Sequence, residues 1–395
     1  MKIAILGMGN IGGGVVDVIM KNAAGIEGAC GQPIEIKYIL DLREFPEHPL
    51  GDRIVHDINI IANDPEVSLA AEMMGGSHPA YDFSLLLLEH GKSVVTSNKE
   101  VVAKFGCELT RAADENNVHY LHEASVGGGI PLIRPIKDCL ASETITAIDG
   151  IVNGTTNYIL SSIAKSGREF DEVLAEAKAL GYAEPNPSAD IDGVDAERKI
   201  TILTALMTGR LYTPEKICTE SIRGVSLSDI KAADAVGGTI KLIAHSSVPD
   251  GKSDIFAAPC FVPYSSPLAH IDGVYNSVLV NASVSGQLMF FGSGAGRYPT
   301  AGSIVADIIA VANGTQRRSV PFEKADDSTL LSPNEHISSH FYRVPEALVG
   351  TSEFSGAVCA KTGSFAGIIT PPEAHEAAIM RAKSLGGDVS VYRVI

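Results

Sequence analysis

Residues 2–21, KIAILGMGNIGGGVVDVIMK, decide the fold. A short run of strand type at 2–6 leads directly into a glycine-rich turn with GxGxxG spacing, and an apolar segment of helical periodicity follows. In this order of strand, turn and helix, backbone N–H groups at the helix start bind the pyrophosphate of a dinucleotide. The glycine pattern alone occurs by chance in many turns, but here it has the required context. We therefore predict a Rossmann-type dinucleotide-binding domain whose turn contributes Gly7, Gly9, Asn10, Ile11 and Gly12.

The next predicted strand, residues 34–40, ends in Asp41-Leu42-Arg43. An acidic residue at this strand end holds the adenosine ribose hydroxyls of NAD, whereas a nearby arginine can hold the additional phosphate of NADP. Both residue types are present, so the sequence leaves NAD and NADP open.

Alternating strands and helices continue to about residue 130, which gives the first domain the range 1–130. Its later elements are predicted as a strand-end turn with Gly75, a helix over 79–90, and strands at 93–96 and 118–123. Lys99 directly follows the strand at 93–96, at the carboxyl edge where open α/β sheets bind ligands.

The pattern changes after residue 131. Strand candidates at 145–152 and 275–282 lie between long helical stretches, which predicts an α+β domain over 131–299 that covers the cofactor. Between them, NGTTNY (153–158) has the composition of a polar turn. A second glycine-rich turn at 292–296 precedes an apolar helix, so we expect the chain to return to the first domain at about 300–318.

Residues 181–203, GYAEPNPSADIDGVDAERKITIL, concentrate the acidic side chains. Asp195 and Lys199 are four positions apart and would share one face of a helix. A lysine beside carboxylates at the start of a helix can donate and accept a proton, because its neighbours and its burial set its pKa. The alternative for this segment alone is a solvated, charged helix start.

Composition excludes several classes of protein. The 395 residues include 45% hydrophobic and 20% charged residues, as in a globular protein of two or three domains. A net charge of −16 argues against nucleic acid as a partner, and no apolar run approaches the length of a membrane span. The N-terminal apolar run breaks at glycines and is interpreted as a strand rather than a secretory signal. The six scattered cysteines favour a cytoplasmic protein with reduced thiols.

Together these segments resemble homoserine dehydrogenase. The matching segments follow the family order and are GMGNIGGG (7–14), HGKSVVTSNK (90–99), HEASVGGGIPLIRP (122–135), GIVNGTTNYIL (150–160), GYAEPNPSADIDGVDAERK (181–199) and GSGAGRYPTAGSIVADI (292–308).

The resemblance implies roles position by position. Lys199 matches the lysine that exchanges a proton with the substrate oxygen, and Asp195 matches the aspartate that orients it and the substrate. Glu184 matches the glutamate that binds the amino group of homoserine, and Asp190 matches a further acidic residue of that pocket. Lys99 matches a lysine between cofactor and substrate.

Two further sites are implied in the same way. Gly296 matches the last glycine of a turn near the cofactor. A monovalent cation, Na+ or K+, is implied at residues 123–130. By analogy with other hard cations, such an ion prefers oxygen ligands. Those implied here are the side chain of Glu123 and the backbone carbonyls of Val126, Gly128 and Ile130.

Residues 340–395 resemble an ACT domain in their predicted order of strand, short helix, two strands, helix and strand. The Asp-Arg-Pro-Gly turn that usually follows the first strand is replaced by Val344-Pro345-Glu346. A role in binding a regulatory amino acid and a dimerising or vestigial role therefore both stay open.

The resemblance implies an α/β enzyme that interconverts L-aspartate 4-semialdehyde and L-homoserine with NAD or NADP. This reaction belongs to the aspartate-derived pathway to threonine, methionine and, through threonine, isoleucine. The expected assembly is a homodimer or homotetramer in the cytoplasm, without nucleic-acid or membrane partners, and residues 131–299 are the expected substrate-binding, catalytic and dimerisation domain. One alternative is aspartate-semialdehyde dehydrogenase, which needs a nucleophilic cysteine that no cysteine setting here suggests. A dinucleotide sensor without catalysis would leave the acidic cluster around Lys199 unexplained.

Overall fold

The computed structural model describes residues 1–314, 320–354 and 358–395, which divide into two compact units. The first unit comprises residues 1–142, 201–214 and 292–325, and the second comprises residues 143–200, 215–291 and 326–395. These bounds differ from the sequence-based domains, because 131–142, 201–214 and 292–299 belong to the first unit rather than to the second. None of the described helices combines the length and the apolar character that crossing a membrane requires.

The first unit is built on a parallel sheet of six strands, as the alternating pattern predicts. From one edge to the other the strands are Ile54–Val55, Glu35–Leu40, Lys2–Leu6, Val67–Glu72, Ser93–Thr96 and Tyr120–Leu121. The direction in which strands are added reverses between Lys2–Leu6 and Val67–Glu72. In open α/β sheets this switch point forms the crevice in which ligands bind.

The helices of the first unit cover this sheet. They are Asn10–Lys21, Ala23–Cys30, Ile58–Ala62, Ala80–Glu89, Lys99–Glu115 and Arg297–Ala312, with a π-helical turn at Pro135–Cys139 and a small strand pair Arg210–Leu211 and Glu323–Lys324. The helix Arg297–Ala312 packs on Asn10–Lys21 through one hydrophobic core that contains Val16, Ile19 and Ile304. The chain thus returns to this unit where the second glycine-rich turn predicts it, although residues 315–318 of the predicted return lie outside the described residues.

The second unit contains a mixed sheet of ten strands. Its path is Gly286–Ser293, Tyr275–Ala282, Ile145–Ile151, Gly238–Ser247, Asp254–Pro263, Ser390–Val394, His340–Pro345, Phe365–Ile369 and Val358–Thr362, and Cys218–Thr219 pairs with Asp254–Pro263. The helices that begin in this unit are Gly154–Ser166, Phe170–Ala179, Ser188–Ile191, Val194–Thr208, Leu227–Ala235 and His375–Leu385, and a small strand pair joins Ile337–Ser338 to Glu373–Ala374.

The C-terminal tail, residues 340–395, has the predicted order of elements, but its strands continue the sheet of the second unit. Ser390–Val394 lies between Asp254–Pro263, to which it is parallel, and His340–Pro345, to which it is antiparallel. Phe261 and Phe341 stack with ring centroids 5.1 Å apart. The contacts therefore place residues 340–395 within the second unit rather than in a unit of their own.

A buried histidine pair in the tail predicts how stability depends on pH. His340 is fully buried, and its Nε2 lies 3.0 Å from Nδ1 of His375. Burial, followed by the charges of His375 and Arg393, lowers the pKa of His340 from 6.5 to about 3. As the pH falls from 6.5 toward 3, the unfolded chain binds a proton that the folded state excludes. The free energy of unfolding should therefore fall by up to about 1.4 kcal/mol per pH unit.

Urea unfolding across this pH range tests the prediction. His340→Gln removes the titrating group and should make the dependence on pH shallower. His90→Gln, at an exposed histidine, is the control and should leave the slope unchanged. Equal slopes for the wild type and His340→Gln would show that His340 is not the group that resists protonation.

Candidate active site

A buried lysine and aspartate lie on one face of the helix Val194–Thr208, as their spacing predicts. Lys199 Nζ donates hydrogen bonds to Asp195 Oδ2 at 2.7 Å and to the Val152 carbonyl oxygen at 2.6 Å. Lys199 is 7% exposed and Asp195 is 4% exposed. The carboxylate and the carbonyl fix the position of the amine in a mostly dry environment. A lysine held in this way can exchange a proton with an oxygen of a bound substrate.

Asn153 joins this cluster from the end of the strand Ile145–Ile151. Its Nδ2 donates to Asp190 Oδ1 at 2.7 Å and to Asp195 Oδ2 at 2.9 Å. The prediction of a polar turn at 153–158 is wrong, because Asn153 is the N-cap of the helix Gly154–Ser166. Asn, Gly and Thr are typical of turns and of helix starts alike, which explains the error. Asn153 was not predicted as a site residue, although it lies in the family-like segment 150–160.

Glu184 is placed differently from the other acidic residues of this segment. It is exposed, in the loop before the short helix Ser188–Ile191, whereas Asp190 is half-buried against Asn153. The hydrogen bonds that join Lys199, Asp195, Asn153 and Asp190 do not include Glu184. Its role in binding an amino group therefore stays a prediction.

The first unit has an open cavity of about 480 Å³ at the switch point of its sheet. Its lining includes Gly7, Gly9, Leu40, Asp41, Leu42, Arg43, His56, Met73, Met74, Gly75, Pro79 and Phe83. The sequence predicted Gly7, Gly9, Asp41, Arg43 and Gly75 here. His56 was missed, because no motif distinguishes it in the sequence.

The glycine turn fits a dinucleotide pyrophosphate. The helix begins at Asn10, and its N-cap, Gly9, provides no side-chain cap for the first N–H groups, which include those of Ile11 and Gly12. A Cβ on Gly9 would have no atom within 4 Å, so a phosphate has room to approach. A Cβ on Gly12 would lie 1.9 Å from the Gly7 carbonyl oxygen, so this position requires glycine. These features match the site that such a turn forms for dinucleotides.

The Asp41 carboxylate is fully engaged with protein donors. Its oxygens accept hydrogen bonds from Met8 N at 2.7 Å and from Arg43 N at 3.0 Å. They also accept from Arg43 Nε and Nη2, each at 2.9 Å. The hydrogen bonds from the Arg43 side chain, together with those from the two backbone N–H groups, outweigh the opposing effect of burial and hold the pKa of Asp41 well below its usual range. The Arg43 guanidinium remains 60% exposed at this cavity.

Lys99 begins the helix Lys99–Glu115 directly after a strand of the sheet, as predicted, and is partly buried. The preceding Asn98 caps this helix by accepting from Val101 N at 3.2 Å. Asn98 Nδ2 also donates to the carbonyl oxygens of Met74 and Gly76, at 3.2 and 2.8 Å. These bonds join the loop that carries Lys99 to the loop that carries Gly75.

The last predicted glycine, Gly296, is the N-cap of the helix Arg297–Ala312 and has a φ of 120°. Residues other than glycine rarely adopt such a backbone conformation, so glycine is favoured at this helix start. Its predicted place near the cofactor stays a prediction.

The predicted cation ligands fit only in part. The Glu123 carboxylate is buried and accepts N–H groups from Leu132 at 2.5 Å, Ile133 at 2.8 Å and Arg134 at 2.8 Å. Its oxygens are therefore directed at backbone donors, and the prediction of this side chain as a cation ligand is not supported by its geometry. Among the described residues no cluster of three His, Cys, Asp or Glu side chains is arranged to hold a metal ion.

Because Glu123 satisfies three backbone N–H groups, its replacement should be costly. Glu123→Gln places an amide NH2 against N–H donors and removes the charge that strengthens these bonds. We expect the free energy of unfolding to fall by about 1.5–3 kcal/mol, measured by urea unfolding, with the exposed Glu108→Gln as control. Unchanged stability combined with lost activation by Na+ or K+ would instead identify the carboxylate as a cation ligand.

Comparison with known proteins identifies the family. Residues 7–123 match the family model described as "Homoserine dehydrogenase, NAD binding domain", and residues 131–309 match the one described as "Homoserine dehydrogenase". A homoserine dehydrogenase of Synechocystis sp. is 42% identical over 319 residues, which cover 79% of this chain and 73% of the relative. This chain belongs to the homoserine dehydrogenase family. It is therefore an NAD(P)-dependent oxidoreductase that acts on the CH–OH group of a small molecule.

Solved structures of homoserine dehydrogenases share the fold. One from Thiobacillus denitrificans has a TM-score of 0.89 at 29% identity and covers 100% of this chain and 98% of that chain. This match includes the tail, which lies beyond both family models. A hyperthermophilic archaeal homoserine dehydrogenase in complex with NADPH has a TM-score of 0.69 at 25% identity, with 80% of this chain and 99% of that chain covered.

Proposed function

We propose that the protein interconverts L-homoserine and L-aspartate 4-semialdehyde with a nicotinamide cofactor, on the route to threonine and methionine. The observation that carries this proposal is the hydrogen-bonded cluster in which the buried Lys199, Asp195 and Asn153 join the half-buried Asp190. A dinucleotide sensor would not need such a cluster. Family membership favours this reaction over that of aspartate-semialdehyde dehydrogenase.

In the oxidative direction, homoserine loses a hydride from its alcohol carbon and a proton from its alcohol oxygen. A bound nicotinamide cofactor would supply the hydride acceptor. We assign the proton to Lys199, which takes it as the neutral amine and returns it in the reductive direction. Asp195 holds the amine in place and stabilises the ammonium that forms. Glu184 and Asp190 are proposed to bind the ammonium group of the substrate, and Lys99 is proposed to stabilise negative charge on the reacting oxygen.

We propose NADP as the preferred cofactor. The carboxylate of Asp41 already accepts four hydrogen bonds, so its oxygens are poorly placed to accept from ribose hydroxyls. Arg43 is exposed at the same cavity. Its Nε and Nη2 donate to Asp41 and to the Met8 carbonyl oxygen, so the charged guanidinium would reach a phosphate through Nη1. The NADPH complex of the archaeal relative is consistent with this choice.

Four finer features are also proposed. A Na+ or K+ ion would rest on the backbone carbonyls of Val126, Gly128 and Ile130, with Glu123 holding the neighbouring turn. The edge strand Gly286–Ser293 exposes apolar side chains, which supports a homodimer or homotetramer. The order of elements in the tail supports an ACT-like character, with a regulatory role left open. All six cysteines are free thiols, which supports a cytoplasmic location.

An assay with purified full-length protein tests the function. Homoserine and NADP should yield reduced cofactor and aspartate 4-semialdehyde without added phosphate. Oxidation of aspartate 4-semialdehyde that requires phosphate would identify the other semialdehyde dehydrogenase instead. Cofactor binding without turnover of either substrate would identify a sensor.

A further inference from the structure

We infer that Asn153 is a positioning residue for this reaction, because its amide bridges the two carboxylates of the Lys199 cluster; the inference rests on the proposed function. Asn153 is 5% exposed. Its Nδ2 donates one hydrogen bond to Asp190 and one to Asp195, at 2.7 and 2.9 Å. The side chain therefore connects the acidic residue that contacts the lysine with the acidic residue assigned to the substrate pocket.

The orientation of this amide is fixed by the backbone. Asn153 Oδ1 accepts the N–H of Thr156 at 2.9 Å and the Thr156 hydroxyl at 3.1 Å, so the oxygen points into the helix start. The NH2 group must then face the carboxylates, and each of its two hydrogens is used by one of them. A flipped amide would lose the helix cap and place an oxygen against two carboxylates.

The helix that Asn153 caps is itself anchored in the second unit. Lys241, only 2% exposed, donates to Asn157 Oδ1 at 3.2 Å and to the Ile271 carbonyl oxygen at 2.6 Å. Asn157 in turn donates to the Tyr275 carbonyl oxygen at 3.1 Å. The first turn of the helix Gly154–Ser166 is thus held against its neighbours. Asn153, fixed at the start of this helix, can therefore hold the two carboxylates in place.

Asparagine is the residue type that satisfies both requirements. Serine would still cap the helix but has a single hydroxyl hydrogen and a shorter reach. Aspartate would cap the helix but would add a third carboxylate where two already meet, which like-charge repulsion disfavours. Two variants therefore keep the helix cap. Asn153→Ser removes the bridge between the two carboxylates, and Asn153→Asp replaces its attraction by repulsion.

Without the bridge, Asp195 should lose its alignment with Lys199, and Asp190 should lose its place in the pocket. We expect Asn153→Ser to lower kcat and to raise the KM for homoserine, with a combined loss in kcat/KM on the order of 10- to 100-fold. The KM for NADP should stay within about twofold, since Asn153 and its partners Asp190, Asp195 and Thr156 are not among the residues that line the cofactor cavity. Asn153→Asp should lose more activity and shift the pH–rate profile, because its added carboxyl titrates beside Asp190 and Asp195.

Kinetics and crystal structures of wild type and both variants test the inference. Ser226→Ala removes the side-chain cap of another helix in the same unit and controls for cap loss, since it should change stability alone. The structure of Asn153→Ser should show Asp190 and Asp195 shifted from their wild-type positions. If Asn153→Ser keeps the wild-type kcat/KM, pH profile and carboxylate positions, Asn153 is only a cap and the inference is wrong. If the wild type does not oxidise homoserine but the carboxylates still shift, the proposed function fails, and with it the role of Asn153 in this reaction, although Asn153 still fixes the positions of the two carboxylates.

Discussion

Lys199→Ala is expected to lower kcat by about 10²–10⁴-fold, the usual loss when a general acid–base group is removed. Lys199 Nζ is the basic atom of the buried cluster, held by Asp195 and by the Val152 carbonyl oxygen. Alanine leaves no group at this position to take the alcohol proton. Cofactor affinity, measured by fluorescence titration of NADPH, should remain nearly unchanged, because Lys199 is not among the residues that line the dinucleotide cavity.

The exposed Lys178→Ala in the same unit is the matched control and should retain wild-type kinetics. Retention of more than half of the wild-type kcat by Lys199→Ala would reject Lys199 as the proton-exchanging group. A parallel loss of cofactor binding would indicate a change beyond the removed amine.

Arg43→Ala should raise the KM for NADP by about 10- to 100-fold and change the KM for NAD little. Charge-assisted hydrogen bonds contribute about 1.5–3 kcal/mol, and each 1.4 kcal/mol corresponds to about tenfold in affinity. Only NADP carries the phosphate that the guanidinium would bind. The variant also frees Asp41 from its arginine partner, so its carboxylate becomes available to the ribose hydroxyls of NAD.

Steady-state kinetics with both cofactors measure this selectivity, with the exposed Arg111→Ala as control. An equal rise in KM for NAD and NADP would show that Arg43 supports the shape of the loop rather than the phosphate. No change for either cofactor would remove Arg43 from the cofactor site.

Local patterns made part of the structure predictable. The glycine turn and its flanking strand and helix are adjacent in sequence, so their geometry follows from residues 2–21 alone. Asp195 and Lys199 meet because helical periodicity brings residues four apart to the same face. Neither inference depends on how distant segments pack.

The hydrogen-bond partners of the Glu123 side chain could not be predicted from local patterns. The family resemblance implies a cation at residues 123–130, and the Glu123 carboxylate offers the hard oxygen ligands that such an ion prefers. In the fold, residues 132–134 turn back so that their N–H groups point at this carboxylate. Which backbone donors meet a side chain depends on the path of the chain after residue 130, and composition does not encode that path.

The pairing between distant strands could not be predicted from local sequence patterns either. The tail suggested a separate module because its own pattern of strands and a helix is complete. Its strand Ser390–Val394 instead pairs with Asp254–Pro263, through Cys260 with Arg393. Registers between such distant segments depend on side-chain packing, such as that of Phe261 on Phe341, and not on a local signal.

Transfer of deuterium tests the central claim most directly. The full-length wild-type protein is incubated with NADP and with L-homoserine in which both hydrogens of the alcohol carbon are replaced by deuterium, and the reduced cofactor is analysed by mass spectrometry. Direct hydride transfer predicts reduced nicotinamide that carries the label, formed together with aspartate 4-semialdehyde. Unlabelled reduced cofactor, or none at saturating concentrations of both substrates, would contradict the account.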